Sequence, residues 1–240
     1  MSGKRTLRRF YTAVSVVAAG DGFSITLDGR KVKTPERADL TLPSRALAEA
    51  VAAEWEAQGE AMEPHEMRLT GLANAAIDRI GAKPAHFIDQ LCQFLAHDLV
   101  CYHAAWPQTL AERQAAAWLP WLAWLKSRHG IALVHGAGVE PIVQDQAALD
   151  ALRPVLTPLD RYRLTGTYAL ATALQSVTLA LAVLDGALDA AEAFAVSRLD
   201  EAHQTAQWGQ DDEARARAQA ILEDTIAAAR FLALSSALGR

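Results

Sequence analysis

The sequence predicts an α+β protein, with a small β-rich domain at the N-terminus followed by a larger, mostly α-helical domain. Tight-turn dipeptides and alternating apolar residues are concentrated between residues 10 and 42. After Pro43 the apolar period changes from two to about 3.6, and alanine-rich segments that favour helix continue to the end of the chain. We expect residues 1–60 to form the first domain, with its strands in 10–42 and then a helix, and residues 61–240 to form the second.

The β-rich region has the pattern of a small antiparallel meander. Asp21-Gly22 and Asp28-Gly29 are the dipeptides typical of tight hairpin turns. Pro35 and Pro43 bracket the last short strand and limit its extension, because proline cannot donate to a strand ladder. The candidate strands cover residues 14–17, 23–27, 31–33 and 40–42.

Helix signals follow Pro43. Ser44 is a candidate N-cap for a helix that Gly59 closes, Thr70 for a second helix, and Pro84 is placed to begin a third that carries Cys92 and Cys101. Pro120 predicts a break or kink within a tryptophan-rich run that stops at 129–130. Further helices are expected over 146–152, 160–184, 188–208 and 212–238.

Composition narrows the class of protein. The chain has 240 residues and is 51% hydrophobic, which is enough for a sizeable core. A net charge of −5 argues against a nucleic-acid partner, since such a protein normally carries a basic stripe. The apolar run at 168–184 is shorter than the roughly 20 residues of a membrane span, so we expect a central buried helix and no stable membrane insertion.

Metal and cofactor signals are weak. Of Cys92, His97, Cys101 and His103, only His97 and Cys101 share a helical face, and two ligands do not make a structural zinc site. The sequence has no phosphate-binding loop, dinucleotide fingerprint or nucleophile elbow. We therefore expect neither a metal nor a cofactor.

The segment 199–209 places acids, amides and a tryptophan on one helix without a nucleophile. At about 100° per residue, Glu201, Gln204 and Trp208 share one stripe, and Asp200 lies on the neighbouring stripe. Gly209 is placed to end the helix. This pattern indicates either a recognition surface or simply a solvated helix end.

Short motifs along nearly the whole chain occur in a specific order. Together they resemble the assembly chaperones of the F1 sector of ATP synthase, specifically the chaperone that binds the F1 alpha subunit. The motifs are Arg9-Phe10-Tyr11, Leu27-Asp28-Gly29-Arg30, Leu42-Pro43, Glu54-Trp55, Asp98-Leu99-Val100-Cys101-Tyr102, Leu199-Asp200-Glu201 and Trp208-Gly209. Arg68 and Gln175-Ser176 depart from the pattern expected of the family.

The resemblance implies a partner and no catalysis. It implies that the chain holds the unassembled alpha subunit and shields its interface until the beta subunit replaces the chaperone. Carried over by motif, Glu201 is the first choice for an essential partner contact, and Trp55 and Gly209 are expected to be structural. Further expected contacts are Asp200, Gln204, Trp208 and Glu54. We expect a chain that is monomeric when free, in the bacterial cytoplasm, with the mitochondrial matrix as the alternative.

Two other functions remain open at this point. One is a helical enzyme with a small-molecule site between the domains, using His97, Asp98 or His203 as acid or base. The other is a factor that lies on a membrane surface through the basic residues Lys4, Arg5, Arg8 and Arg9.

Overall fold

Strand β2 (Gly22–Leu27) is the central strand of a four-stranded antiparallel sheet. Strand β1 (Val14–Ala19) pairs with β2 along its whole length. Strands β3 (Arg30–Lys31) and β4 (Thr41–Leu42) also pair with β2. In the computed structural model, which describes residues 7–138, 140–209 and 211–236, this sheet contains all of the strand pairing of the N-terminal region except two isolated bridges.

The second hairpin is the one that the sequence predicts. Asp28 and Gly29 both adopt positive φ, at 48° and 80°, and connect Leu27 directly to its partner Arg30. A two-residue turn of this hand matches the right-handed twist of the strands. The first turn lies one residue earlier than expected, at Gly20-Asp21, because Gly22 already pairs with Ala19.

Helix α1 (Arg45–Glu56) covers the sheet. The Ser44 side chain accepts a hydrogen bond from the Leu47 amide at 3.0 Å, so the predicted N-cap is confirmed. Leu47 and Val51, four residues apart, are fully buried in a core that also contains Ile25 of β2. The amphipathic face of α1 and the buried face of the sheet therefore form this core together.

The remaining elements are mostly helical. Single turns of tighter or wider helix occur at Pro64–Glu66, Ala76–Ile80 and Leu99–Cys101. A two-residue parallel pair joins β5 (Tyr102–His103) to β6 (Gly136–Ala137). The other helices are α2 Arg68–Ala75, α3 Pro84–Leu95, α4 Gln108–His129, α5 Gln146–Asp150, α6 Arg153–Leu156, α7 Arg161–Leu174, α8 Val177–Leu184, α9 Ala190–Ser197, α10 Leu199–Trp208 and α11 Asp212–Ser235.

The helix expected over 160–184 is two helices. Gln175 adopts a positive φ of 54° and ends α7, and the Ser176 hydroxyl caps α8 by accepting from the Leu179 amide at 3.0 Å. Helix α8 is buried on all sides, as its composition predicts. None of the helices in the described part of the chain is both long enough and apolar enough to cross a bilayer.

Of the break or kink expected at Pro120, the break does not occur, because helix α4 continues through this residue. Pro120 and Ala116 both lie on the exposed face of α4, where the carbonyl that loses its donor is open to water. The helix ends where expected, with Gly130 in the left-handed conformation.

Four other helix predictions are corrected. The helix expected over 188–208 is two helices, α9 and α10, which Arg198 separates. Helix α1 ends at Glu56, before Gly59, and Thr70 lies within α2 instead of capping it. Cys92 and Cys101 do not share a helix, because α3 ends at Leu95. Both thiols are free, and burial raises the pKa of Cys101 to about 12.

The chain divides into two compact units. Of the described residues, the first unit comprises 7–83, Arg161–Thr165 and 230–236. The second consists of Pro84–Asp160 and Gly166–Ala229. This division differs from the boundary expected near residue 60, because α2 packs against α1 and shares its core.

A substitution at Gly22 tests how closely β2 approaches β4. A Cβ at Gly22 would lie 2.4 Å from the Leu42 carbonyl oxygen, so Gly22→Ala must displace backbone. We expect a loss of about 1–3 kcal/mol in the free energy of unfolding, measured by urea denaturation. Gly71→Ala is the control: apart from its chain neighbours and the backbone of its own helix, no atom lies within 4 Å of that Cβ, and in a helix alanine should gain up to about 1 kcal/mol. Equal stability of the two variants would contradict the close approach.

Candidate functional site

Helices α10 and α11 form most of the walls of an open groove on the second unit. Its volume is about 830 Å³. The turn between them is set by Gly209, whose φ of 78° and ψ of 177° suit glycine alone. The Gly209 amide closes α10 by donating to the Thr205 carbonyl at 2.9 Å, as predicted for the residue that ends this helix. The Asp211 carboxylate caps α11 by accepting from the Ala214 amide at 2.6 Å.

The groove brings together one of the two predicted stripes. Glu201, Gln204 and Trp208 all line it, and Trp208 is 84% exposed. Much of the remaining wall is apolar or small. The other lining residues are Gln175, Phe194, Arg198, Ala202, Thr205, Ala206, Gly209, Asp211, Ala214, Arg217, Ala218 and Ile221. The groove therefore combines an exposed aromatic ring with a floor of small side chains and a few charges.

Asp200 does not line this groove. Its carboxylate accepts two hydrogen bonds from the buried Gln114 amide of α4, at 2.9 and 3.0 Å. Gln114 in turn accepts from the Ala104 amide at 2.6 Å. Burial raises the pKa of the Asp200 carboxyl, and the adjacent Glu201 carboxylate raises it further. Asp200 thus anchors α10 to α4, and we now propose a structural role for it instead of partner contact.

Arg198 is a groove residue that the sequence analysis missed. Its guanidinium donates to the Glu201 carboxylate at 2.9 Å and to the Ala173 carbonyl near the end of α7. The guanidinium also lies over the Phe194 ring, 5.9 Å from its centre. The Arg198 side chain is 12% exposed and that of Glu201 is 56% exposed. The spacing of three residues between them was the available signal, because it places both side chains on one helical face.

Glu54 has an intramolecular role in the first unit. Its carboxylate accepts from the Leu69 and Thr70 amides at 2.7 and 2.8 Å, and from the Thr70 hydroxyl at 2.8 Å. These amides belong to the first turn of α2, where N–H groups lack intrahelical acceptors and a carboxylate is favoured by the helix dipole. We therefore propose Glu54 as the cap of α2 and no longer as a partner contact.

Trp55 also has contacts within the first unit. Its ring packs against Tyr11 with a centroid separation of 5.7 Å, and the Tyr11 hydroxyl donates to the Trp55 carbonyl at 2.6 Å. Tyr11 is buried in the core of this unit. These contacts support the structural role expected for Trp55.

The three residues of the enzyme alternative have separate partners. His97 lies 3.4 Å from the Tyr102 hydroxyl, and His203 lies 2.9 Å from the Gln207 amide. Asp98 is fully buried and accepts from the Thr178 amide and hydroxyl, both at 2.9 Å. A carboxylate without solvent access has no route to a substrate, so Asp98 does not fit the role of acid or base. Within the described residues, no group of three or more His, Cys, Asp or Glu is placed to hold a metal ion.

Comparison with known proteins gives one consistent family. The family model "ATP12 chaperone protein" matches residues 8–126. The chain is 36% identical to Atp12 of Paracoccus denitrificans, with a TM-score of 0.89 over 95% of this chain and 98% of that structure. It is 34% identical to the Atu1473 protein of Agrobacterium tumefaciens, with a TM-score of 0.89 over 95% and 85%. The mitochondrial protein atp12 of Schizosaccharomyces pombe is 25% identical over 95% of this chain and 82% of that protein.

The anchoring role of Asp200 predicts a stability effect. Asp200→Ala leaves the buried Gln114 amide without its acceptor, so we expect a loss of about 1–3 kcal/mol in the free energy of unfolding. Gln204→Ala, on the groove stripe of the same helix, should change it by less than about 0.5 kcal/mol. Urea denaturation of both variants measures the difference, and a neutral Asp200→Ala would contradict the anchor.

The capping role of Glu54 predicts a second effect. Glu54→Ala removes the acceptor of N–H groups in the first turn of α2 and should cost about 0.5–2 kcal/mol in thermal or urea unfolding. Glu56→Ala, an exposed acid in the same helix, is the control and should be nearly neutral. Equal unfolding midpoints for the two variants would argue against the cap.

Proposed function

The chain belongs to the ATP12 chaperone family, and from that membership we propose that it binds the unassembled alpha subunit of the F1 sector of ATP synthase. In this proposal the chaperone shields the interface of alpha until the beta subunit replaces it. The family supports the coarser function, assembly of F1 ATP synthase, and a chaperone family is not an enzyme class.

The observation that carries the proposal is the groove of α10 and α11. A tryptophan that is 84% exposed beside an apolar floor is unfavourable in an isolated protein and is typical of an interaction surface. Glu201, Gln204 and Trp208 would contact the partner there, because their side chains line the groove and Gln204 and Trp208 have no anchoring role in the described structure. Trp208 is the strongest candidate anchor, since tryptophan is enriched among residues that dominate binding energy.

Shielding follows from the physical chemistry of assembly. A subunit that waits for its partners exposes apolar surface and tends to aggregate. Transient burial of that surface against the chaperone removes it from water. The charged and amide groups at the rim of the groove keep the interface partly polar, which favours exchange when the beta subunit arrives.

The cellular setting is part of the proposal. We place the chain in the bacterial cytoplasm, supported by its similarity to the Paracoccus and Agrobacterium proteins, with the mitochondrial matrix as the alternative. The free chaperone is proposed to be monomeric, with one alpha subunit as its partner.

The test is co-purification with separately expressed F1 alpha and F1 beta subunits. We expect the wild type to capture alpha selectively and Glu201→Lys to lose at least about tenfold in affinity, because the lysine places a second cation beside Arg198. Glu49→Lys is a matched control: its side chain is 58% exposed, against 56% for Glu201, and it also pairs with an arginine on its own helix. Glu49→Lys should bind alpha as the wild type does.

Circular dichroism and unfolding curves are the check that both variants are folded. Capture of beta instead of alpha, or of neither subunit by folded wild type, would refute the proposed function. Undiminished capture of alpha by folded Glu201→Lys would refute the role of Glu201 and leave the alpha partner supported.

A further inference from the structure

The charges that line the groove of α10 and α11 are already engaged within the protein. Arg198 pairs with Glu201 at 2.9 Å, and Arg217 pairs with Glu213 at 2.8 Å. Asp211 accepts from the Ala214 amide at 2.6 Å. The groove therefore presents balanced positive and negative charge to an incoming partner. Its electrostatic complement is a segment without net charge.

The floor of the groove presents few free backbone hydrogen-bonding groups to a partner segment. Its walls come mainly from α10 and α11, whose N–H and C=O groups away from the helix ends are bonded within each helix, so no strand edge is available. An extended partner segment would leave its own N–H and C=O groups unpaired against alanine side chains. A helix satisfies those groups internally and can bring only its apolar side chains to the floor.

We propose that the groove binds the apolar stripe of one helix of the alpha subunit, with Trp208 as the anchor. The proposal rests on the proposed function and specifies its site. Helix α10 has 10 residues and is about 15 Å long, which corresponds to roughly three turns of the bound helix. The small side chains Ala202, Ala206, Ala214 and Ala218 leave room for larger apolar side chains of the partner.

Within this site Arg198 is a positioning residue. The carbonyl of Ala173 and the ring of Phe194 hold its guanidinium, and the guanidinium holds the Glu201 carboxylate at the rim. Glu201 then serves to neutralise Arg198 beneath the bound helix, and its negative charge is not the source of affinity. Glu201→Gln leaves the Arg198 cation without its counter-charge and should accordingly weaken binding of alpha about threefold, whereas Glu201→Lys adds a second cation and should weaken it at least about tenfold.

The anchor is tested by affinity for isolated F1 alpha. Trp208→Ala should weaken binding roughly 30-fold or more, because a central tryptophan dominates such interfaces. Trp106→Ala is the control, since Trp106 is 83% exposed on the same unit and does not line the groove. Ala206→Glu, which puts a charge on the floor, should lose binding at least about tenfold, and Ala216→Glu on an exposed face of α11 should not.

The salt dependence of the affinity and the pattern of photo-crosslinks test whether the bound segment of alpha is an apolar helix. Affinity should change less than about threefold between about 0.1 M and 1 M salt, although the Debye length falls from roughly 10 to 3 Å. Photo-crosslinkers at positions 202 and 206 should label one alpha segment at residues three or four apart, as a helical stripe requires.

The outcomes separate this inference from the proposed function. If wild type binds alpha but Trp208→Ala and Ala206→Glu bind equally well, the groove is not the docking site and the alpha partner remains supported. A loss of affinity of tenfold or more in high salt, or crosslinks to alternate residues, would also overturn the inference. If wild type binds no alpha, the proposed function fails and this inference fails with it.

Discussion

The second unit depends on the burial of α8, and that burial depends on the groups that cap its N-terminus. Residues Val177–Ala182 are almost completely removed from water, so unsatisfied N–H groups there would each cost about 1–3 kcal/mol. Asp98 accepts from the Thr178 amide and hydroxyl, and Ser176 accepts from the Leu179 amide. Burial raises the pKa of the Asp98 carboxyl, and the donors around it offset that effect. One carboxylate thereby joins the turn after α3 to the start of α8.

The position of the groove depends on helices that pack around α8. Helices α3, α4 and α9 pack on α8, and α10 packs on α4. Gln114 fixes the inner side of α10 through Asp200, and Arg198 ties its first turn to Ala173 near the end of α7. Helix α10 therefore has one anchored side and one open side. The open side carries Glu201, Gln204 and Trp208, so the exposure of these residues is a consequence of how the opposite side is held.

Local signals predicted much of the fold because they act over a few residues. The turn at Asp28-Gly29, the cap at Ser44 and the stop at Gly130 each satisfy neighbouring backbone groups, and each is found where expected. Pro120 and Gln175 were misjudged because their effect depends on surroundings. Water can bond the carbonyl freed by Pro120 on an exposed face, whereas the break at Gln175 is supported by Ser176, which caps the following helix.

The sequence by itself determined that a sheet is followed by helices, and it located the Ser44 cap, the Asp28-Gly29 turn and the helix stops at Gly130 and Gly209. It also placed Glu201, Gln204 and Trp208 on one helical face. Periodicity and local hydrogen bonding suffice for these features, since both follow from the geometry of a single element. Only the tertiary structure decided which acids are bonded within the protein. Glu54 and Asp98 accept hydrogen bonds from the N-termini of helices, and Asp200 accepts from the Gln114 side chain. These donors lie 15 to 86 residues away in the chain. Burial of those donors with their carboxylates is a property of packing, and no local pattern contains it.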